Sequence, residues 1–390
     1  VSAEVATGGL AERVRRRLIS EGSLPTRAAV TTAVRAEYGS PIGDRTLLSL
    51  GADLHAELVG AGPLTALLAE PDVTDVLVNG PGEVWVDRGA GLQRVHCDLG
   101  DDASIRRLAQ RLAASCGRRL DDASPFVDAR LPDGTRFHAA LPPVAVGTVH
   151  LSLRTFRPRG FSLDELVAAG TLTPAAAAIA RAVVDAHLAF LVSGGTGSGK
   201  TTLLAALLGE IAPDERLIVV EDATELRPAH PHVVSLEARP ANAEGAGLIP
   251  LRTLVREALR MRADRIVVGE CRGGEVVELL AALNTGHRGG AGTLHANTLD
   301  DVPARIEALG LMGGLGRDAV HAQLASAVQV AFHIVRYPSQ AGGRLVTEIG
   351  VLAAGRDGRV RAWPAWRRDG GPTPGLDQLR ALLESRGGAW

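Results

Sequence analysis

Residues 194–201 read Gly-Gly-Thr-Gly-Ser-Gly-Lys-Thr. That spacing fits GxxxxGK[ST], a loop whose backbone N–H groups turn inward to cradle phosphate oxygens. An apolar strand over 189–192 leads into the loop, and the helix-forming run TLLAALLGEI follows it. The helix amino terminus then adds its partial positive charge to the cradle. The chemistry implied is nucleotide phosphate binding by Gly194, Gly195, Thr196, Gly197, Ser198, Gly199, Lys200, Thr201 and Thr202. Lys200 reaches the β- and γ-phosphates of ATP, and the Thr201 hydroxyl ligates Mg²⁺. Composition isolates the same residue. Of 42 basic residues, 41 are arginine and the one lysine is Lys200. A bias this strong fits a GC-rich genome, yet a guanidinium fork does not copy the compact ammonium that lysine places beside a phosphate.

Two further apolar runs end in acid, LIVVED at Glu221 and Asp222 and IVVGE at Glu270. In an open parallel sheet, ligands bind beyond the carboxyl ends of the strands, so these acids are expected to face the same nucleotide. One acid holds Mg²⁺, and another orients or deprotonates the attacking water. Taken singly, each is as well explained by an ordinary strand-end charge; three strand ends converging favour function. The stretch NTGHRGGAGTLHANT sets His287 and His295 around another strand. A histidine there senses the γ-phosphate or is a satisfied loop residue. A metal pair is rejected, because no third ligand accompanies it.

The elements that position these residues follow from periodicity. Apolar strands LAFLVSG, RLIVVED, DRIVVGE, AGTLHAN and VQVAFHIVRY alternate with helical stretches, which predicts an α/β domain with a mostly parallel sheet over 173–354. Before it, VTDVLVNGPGEVWVDRG reads as a hairpin, SIRRLAQRLAASCG as an amphipathic helix, and TRFHAALPP and VHLSLRTF as strands. These predict a smaller α+β domain over 51–157. Residues 1–50 form a helical segment whose triple arginine at 15–17 reads as a solvated face. Residues 158–172 read as a linker and 355–390 as a tail with a short helical stretch at 376–386.

Composition excludes several classes. A formal charge of −2 gives no global field for nucleic acid or anionic lipid, and 3% aromatics leave few rings for base stacking. Three scattered cysteines (Cys97, Cys116, Cys271) suggest neither a disulfide framework nor a zinc site, as in a reducing cytosol. No signal-peptide pattern and no apolar run of spanning length is expected, so membrane association goes through a protein partner.

Together the motifs resemble the secretion ATPase superfamily, and more closely its TadA/CpaF branch, the motors of Tad/Flp pili and related type II/IV secretion machines. The resemblance spans roughly 50–350 and rests on GGTGSGKTTLL, VVEDATEL, RADRIVVGECRGGE and TGHRGGAGTLHANT, together with VTDVLVNGPGEVWV, DGTRFHAALPPVA and LSLRTFRPRGFSLDELV. It implies a RecA-like P-loop NTPase domain preceded by a PAS-like one. It assigns Glu225 to water activation, Glu270 to Mg²⁺ largely through water, and His295 to the γ-phosphate. Glu221 and Asp222 support Mg²⁺ and the loop. Arg136, Arg154 and, more weakly, Arg272 are the arginines implied to approach the nucleotide.

The resemblance further implies a cytoplasmic homo-hexamer at the inner face of the membrane, hinging at about 157–172. Such a ring docks on inner-membrane platform proteins and acts on pilin indirectly, with no nucleic acid and no membrane insertion of its own. The tetracysteine zinc module of many type II secretion and type IV pilus extension ATPases is missing. A small-residue run with Arg288 departs from the family pattern without a physical account. Two alternatives stand beside this reading: a conjugation-type nucleic-acid transfer motor, and a nucleotide-gated regulatory module of slow turnover.

Overall fold

The computed structural model describes residues 10, 13–14, 16–18, 20–21, 26–39, 41–58, 60–89, 91–155, 160–239, 241, 246–337 and 343–387. The chain divides into two compact units, Val1–Phe156 and Arg157–Trp390.

The first unit is built on six antiparallel strands in the order β3-β2-β1-β6-β5-β4. They are β1 (Asp75–Val78), β2 (Val84–Asp87), β3 (Leu92–Val95), β4 (Phe126–Arg130), β5 (Arg136–Ala140) and β6 (His150–Arg154). β1 and β2 form the expected hairpin, closed by Asn79 N–H donating to Glu83 O at 2.9 Å. Alternate residues are buried along β1, β2 and β6, so one face carries the core. The helix Asp102–Ser115 supplies Ile105, Leu108 and Leu112 to that core, and Asp101 caps its amino terminus. Ahead of the sheet, Leu10, Val14, Leu18, Val30, Val34, Leu47 and Leu54 make a small separate helical core. The expected boundary at 50/51 falls inside the helix Asp44–Leu58, because Leu47 and Leu54 share one buried face of it.

The second unit has eight strands in the order β14-β13-β12-β7-β11-β10-β8-β9. These are β7 (Phe190–Ser193), β8 (Leu217–Glu221), β9 (Val233–Glu237), β10 (Arg265–Cys271), β11 (Ala291–Leu294), β12 (Val330–Arg336), β13 (Arg344–Ala354) and β14 (Val360–Arg367). From β12 to β9 the pairing is parallel; β13 and β14 add antiparallel. β7, β8 and β11 are buried at every residue, as strands covered on both faces must be. Their period of two splits the core in two layers. Phe190, Val192, Leu217 and Val219 face one apolar cluster, while Leu191, Ile218, Val220 and Ile266 face the other.

Three expectations need correction here. The linker at 158–172 contains the helix Leu163–Ala168, closed by a Ser162–Glu165 capping box, and its Leu163 and Leu166 are buried in the core. The tail is not peripheral: β14 completes the sheet, and Leu379 and Leu383 of the helix Leu376–Ser385 enter the same core. The sheet therefore ends at 367 rather than 354. The start of the proposed hinge, residues 157–159, lies outside the described residues.

Candidate active site

β7 delivers the chain to Gly194, and the helix Lys200–Leu208 carries it away. Between them the loop bends through conformations reserved for glycine, with φ of 156° at Gly194 and 99° at Gly199. A Cβ on Gly194 would lie 2.2 Å from the Ile334 carbonyl oxygen, so β12 closes the loop from behind. Lys200 is 7% exposed, and its Nζ donates to Gly195 O at 2.9 Å. The buried Ser198 hydroxyl has no hydrogen-bond partner among the described residues, which is unusual for a buried polar group and suits a cradle for a polar ligand.

Three parallel neighbours bring side chains to the same carboxyl end. His295 follows β11, Glu270 is the penultimate residue of β10, and Glu221 ends β8. His295 Nε2 lies 2.6 Å from Glu270 Oε1 and 3.5 Å from Lys200 Nζ. Burial, followed by the nearby Lys200 ammonium, holds the His295 pKa below its ordinary value against the pull of Glu270. The contact is therefore a hydrogen bond from a neutral imidazole rather than an ion pair. Its Nε2–H donates to Glu270, and Lys200 is an electrostatic neighbour. Arg272 takes the other Glu270 oxygen, with Nη2 at 2.5 Å and Nε at 2.7 Å. Arg272, expected near the nucleotide, is thus fastened to Glu270. His287 lies four residues before the first residue of β11 and His295 directly after its last, so the two histidines flank the strand rather than meet at one end of it.

The acidic loop after β8 is held by two carboxylates. Glu221, 4% exposed, accepts from the backbone N–H groups of Glu225 and Leu226, both at 3.0 Å. Glu237, on the edge strand β9, accepts from Thr224 N at 3.0 Å and Thr224 Oγ1 at 2.6 Å. Glu221, expected as an acid that supports Mg²⁺ and the loop, fastens through Oε1 the loop that carries half-buried Glu225 and exposed Asp222.

Arg136 and Arg154 belong to the other unit. They are register partners on β5 and β6, and Arg136 bonds Asp128 at 2.8 Å while Arg154 lies 4.0 Å from Asp75. Sequence reasoning missed Glu237 and Arg344, the latter donating from Nε to Gly197 O at 3.1 Å. No motif marks either. A glutamate inside VVSLE and an arginine among 41 look ordinary until the strands are paired. The Thr201 hydroxyl, one residue past Lys200, and the Glu270 and Asp222 carboxylates, at or just past the ends of β10 and β8, are hard oxygen donors of the kind Mg²⁺ takes.

A sequence profile described as "Type II/IV secretion system protein" matches residues 57–357. The chain belongs to that family. A putative conjugal transfer protein of Mycobacterium tuberculosis is 55% identical over 354 residues, covering 89% of this chain and 100% of the relative. The type IV secretion system protein PtlH of Bordetella pertussis is 32% identical over 330 residues, covering 79% of this chain and 94% of the relative. The ATPase DotB of Legionella pneumophila shares the fold, with a TM-score of 0.54 at 19% identity over 83% of this chain and 87% of that one. Membership of this family of secretion ATPases implies nucleotide binding, and the second unit has the RecA-like α/β fold of such ATPases. Among the described residues, no helix is long and apolar enough to cross a membrane.

Proposed function

We propose that this type II/IV secretion ATPase is a Mg²⁺-dependent, homo-hexameric cytoplasmic motor that hydrolyses ATP to drive Tad/Flp-type pilus assembly or protein secretion. The observation that carries the ATPase reading is the meeting of Lys200, His295, Glu270 and the Glu221-fastened loop at the carboxyl ends of four adjacent parallel strands. The P-loop N–H groups and Lys200 bind the phosphates. Thr201 and Glu270, with Asp222 through water, would hold Mg²⁺, which when bound neutralises charge on the β- and γ-oxygens. Glu225 takes the proton of the attacking water as its oxygen bonds to the γ-phosphorus. The β–γ bridging P–O bond breaks, releasing ADP and phosphate. The neutral imidazole of His295 and the guanidinium of Arg272 keep the Glu270 carboxylate oriented. Arg136 and Arg154 are the arginines of the amino-terminal unit proposed to meet the nucleotide. Motion of one unit relative to the other would carry the stroke to inner-membrane platform proteins.

Lys200→Ala is expected to abolish ATP binding and turnover, whereas Glu225→Gln keeps binding and loses hydrolysis. Unchanged steady-state turnover in Lys200→Ala would defeat the ATPase reading. The mycobacterial relative, a putative conjugal transfer protein, favours a second reading, conjugal transfer of nucleic acid. Against it stand the charge of −2 and the 3% aromatic content. Stimulation of ATP turnover by single-stranded DNA, lost at high salt, would support that second reading.

A further inference from the structure

β12 ends at Arg336 and β13 begins at Arg344, and these two arginines are register partners across the hairpin. β12 runs parallel beside β7, hydrogen-bonded through His333 and Ser193, the residue before the P-loop. Arg336 and Arg344, at the facing ends of these strands, are therefore level with the loop. A loop that turns its N–H groups inward turns carbonyls outward, and those acceptors need donors of their own. Lys200 Nζ serves Gly195 O at 2.9 Å, and Arg344 Nε serves Gly197 O at 3.1 Å. The contact is also steric. A Cβ on Gly199 would lie 3.0 Å from Cδ of Arg344, and one on Gly197 would lie 3.4 Å from Nη1 of Arg336. Both residues fall outside the P-loop motif, and neither has a part in the mechanism above.

We propose that Arg344, with Arg336 beside it, is a positioning residue for the P-loop. Its Nε–H fixes the Gly197 carbonyl outward, so that the loop keeps the turn that receives a nucleotide's phosphates. The proposal rests on the P-loop reading given above. A guanidinium suits the task because Nε–H projects sideways from a stem that packs on Gly199 while the charge persists at every physiological pH. A charge-assisted hydrogen bond of this kind is about twice as strong as a neutral one. Lysine keeps the charge but has no donor at that place.

The test uses the full chain with Arg344→Gln, Arg344→Lys and Arg336→Gln, and Lys200→Ala in parallel. Binding of a fluorescent ADP analogue, ATP kinetics and melting without nucleotide are measured for each. Arg344→Gln is expected to raise Kd and KM about tenfold or more while kcat stays within about threefold. Its nucleotide-free melting temperature stays near that of the parent, and Arg344→Lys fails to restore affinity. Arg336→Gln shifts Kd in the same direction by less. Parental Kd and KM in Arg344→Gln would overturn the proposal. Full restoration by lysine would overturn the hydrogen-bond assignment, and a collapse of kcat at unchanged KM would move Arg344 into the chemical step. If Arg344→Gln does not fold, Arg344→Lys, which keeps the stem on Gly199, is read by the same criteria. Parental binding in Lys200→Ala defeats the P-loop reading itself; loss there with parental Arg344→Gln defeats this inference alone.

Discussion

Glu221 turns one carboxylate oxygen under the loop that follows β8 and takes two consecutive N–H groups. A buried carboxylate with that duty controls where Glu225 sits. Glu221→Ala leaves one buried and one part-buried donor unserved, and the buried one alone costs about 1–3 kcal/mol. The expected outcome is a lower denaturation midpoint and a kcat reduced more than ADP affinity; unchanged kcat would remove the loop from the mechanism. Position along the chain predicted that Glu221 and Glu270 share one end of the sheet, and the family resemblance added His295. It could not distribute their roles, because strand-end acids look alike until their oxygens are paired. The same limit hid Arg265. With 41 arginines a surface place is the ordinary expectation, yet Arg265 is 1% exposed and bonds Glu215 through Nε and Nη2 at 2.7 and 2.8 Å. Its Nη2 also reaches Val184 O at 3.1 Å, so one side chain ties the end of the helix Pro174–Asp185 to the start of β10.

At the scale of elements, the fully buried strands were the most legible, since a short apolar run ending in acid has few other homes in an α/β domain. β9, β13 and β14 were not read. β9 alternates half-buried and exposed residues at the sheet edge, which weakens its apolar signal. β14 holds Pro364, a residue that reads as a break but sits where an edge strand tolerates it. The helix Leu376–Ser385, read only as a short helical stretch of a tail, is anchored by Leu379 and Leu383, at 0% and 1% exposure. Leu379→Ala is therefore expected to destabilise the second unit by about 2–5 kcal/mol in chemical denaturation, while KM for ATP holds. A neutral effect on stability would return the segment to the periphery.

At the scale of the whole molecule, acid sensitivity follows from two histidines of lowered pKa, one buried and one half-buried. His333, 3% exposed and 2.9 Å from Ser193 Oγ, has its pKa lowered chiefly by burial, as has His295. A histidine whose folded pKa is depressed binds fewer protons folded than unfolded between the two values. Its stability contribution is complete above the unfolded value of about 6.5 and is lost as pH falls through the folded value. Denaturation midpoints should drop between pH 7.5 and 5.5, and His333→Gln should flatten that slope. A flat parental profile would contradict the burial argument. Glu215, whose carboxyl is lowered by Arg265 and His187 despite its burial, acts in the same direction but only in stronger acid.

Lys200 has a use beyond binding. Acylating reagents that attack primary amines find one side-chain target in the whole chain, and a protease cutting after lysine finds one peptide bond. That target is 7% exposed at the start of the helix that follows the P-loop. Mass spectrometry after brief acylation therefore reads a single side chain, with no assignment problem and no competing lysine. Saturating ATP should slow modification at position 200 and leave the amino-terminal amine unaffected. Equal labelling with and without nucleotide would mean that the phosphates do not reach this ammonium. The compositional bias that stripped every other lysine from the chain has left it with a built-in occupancy probe.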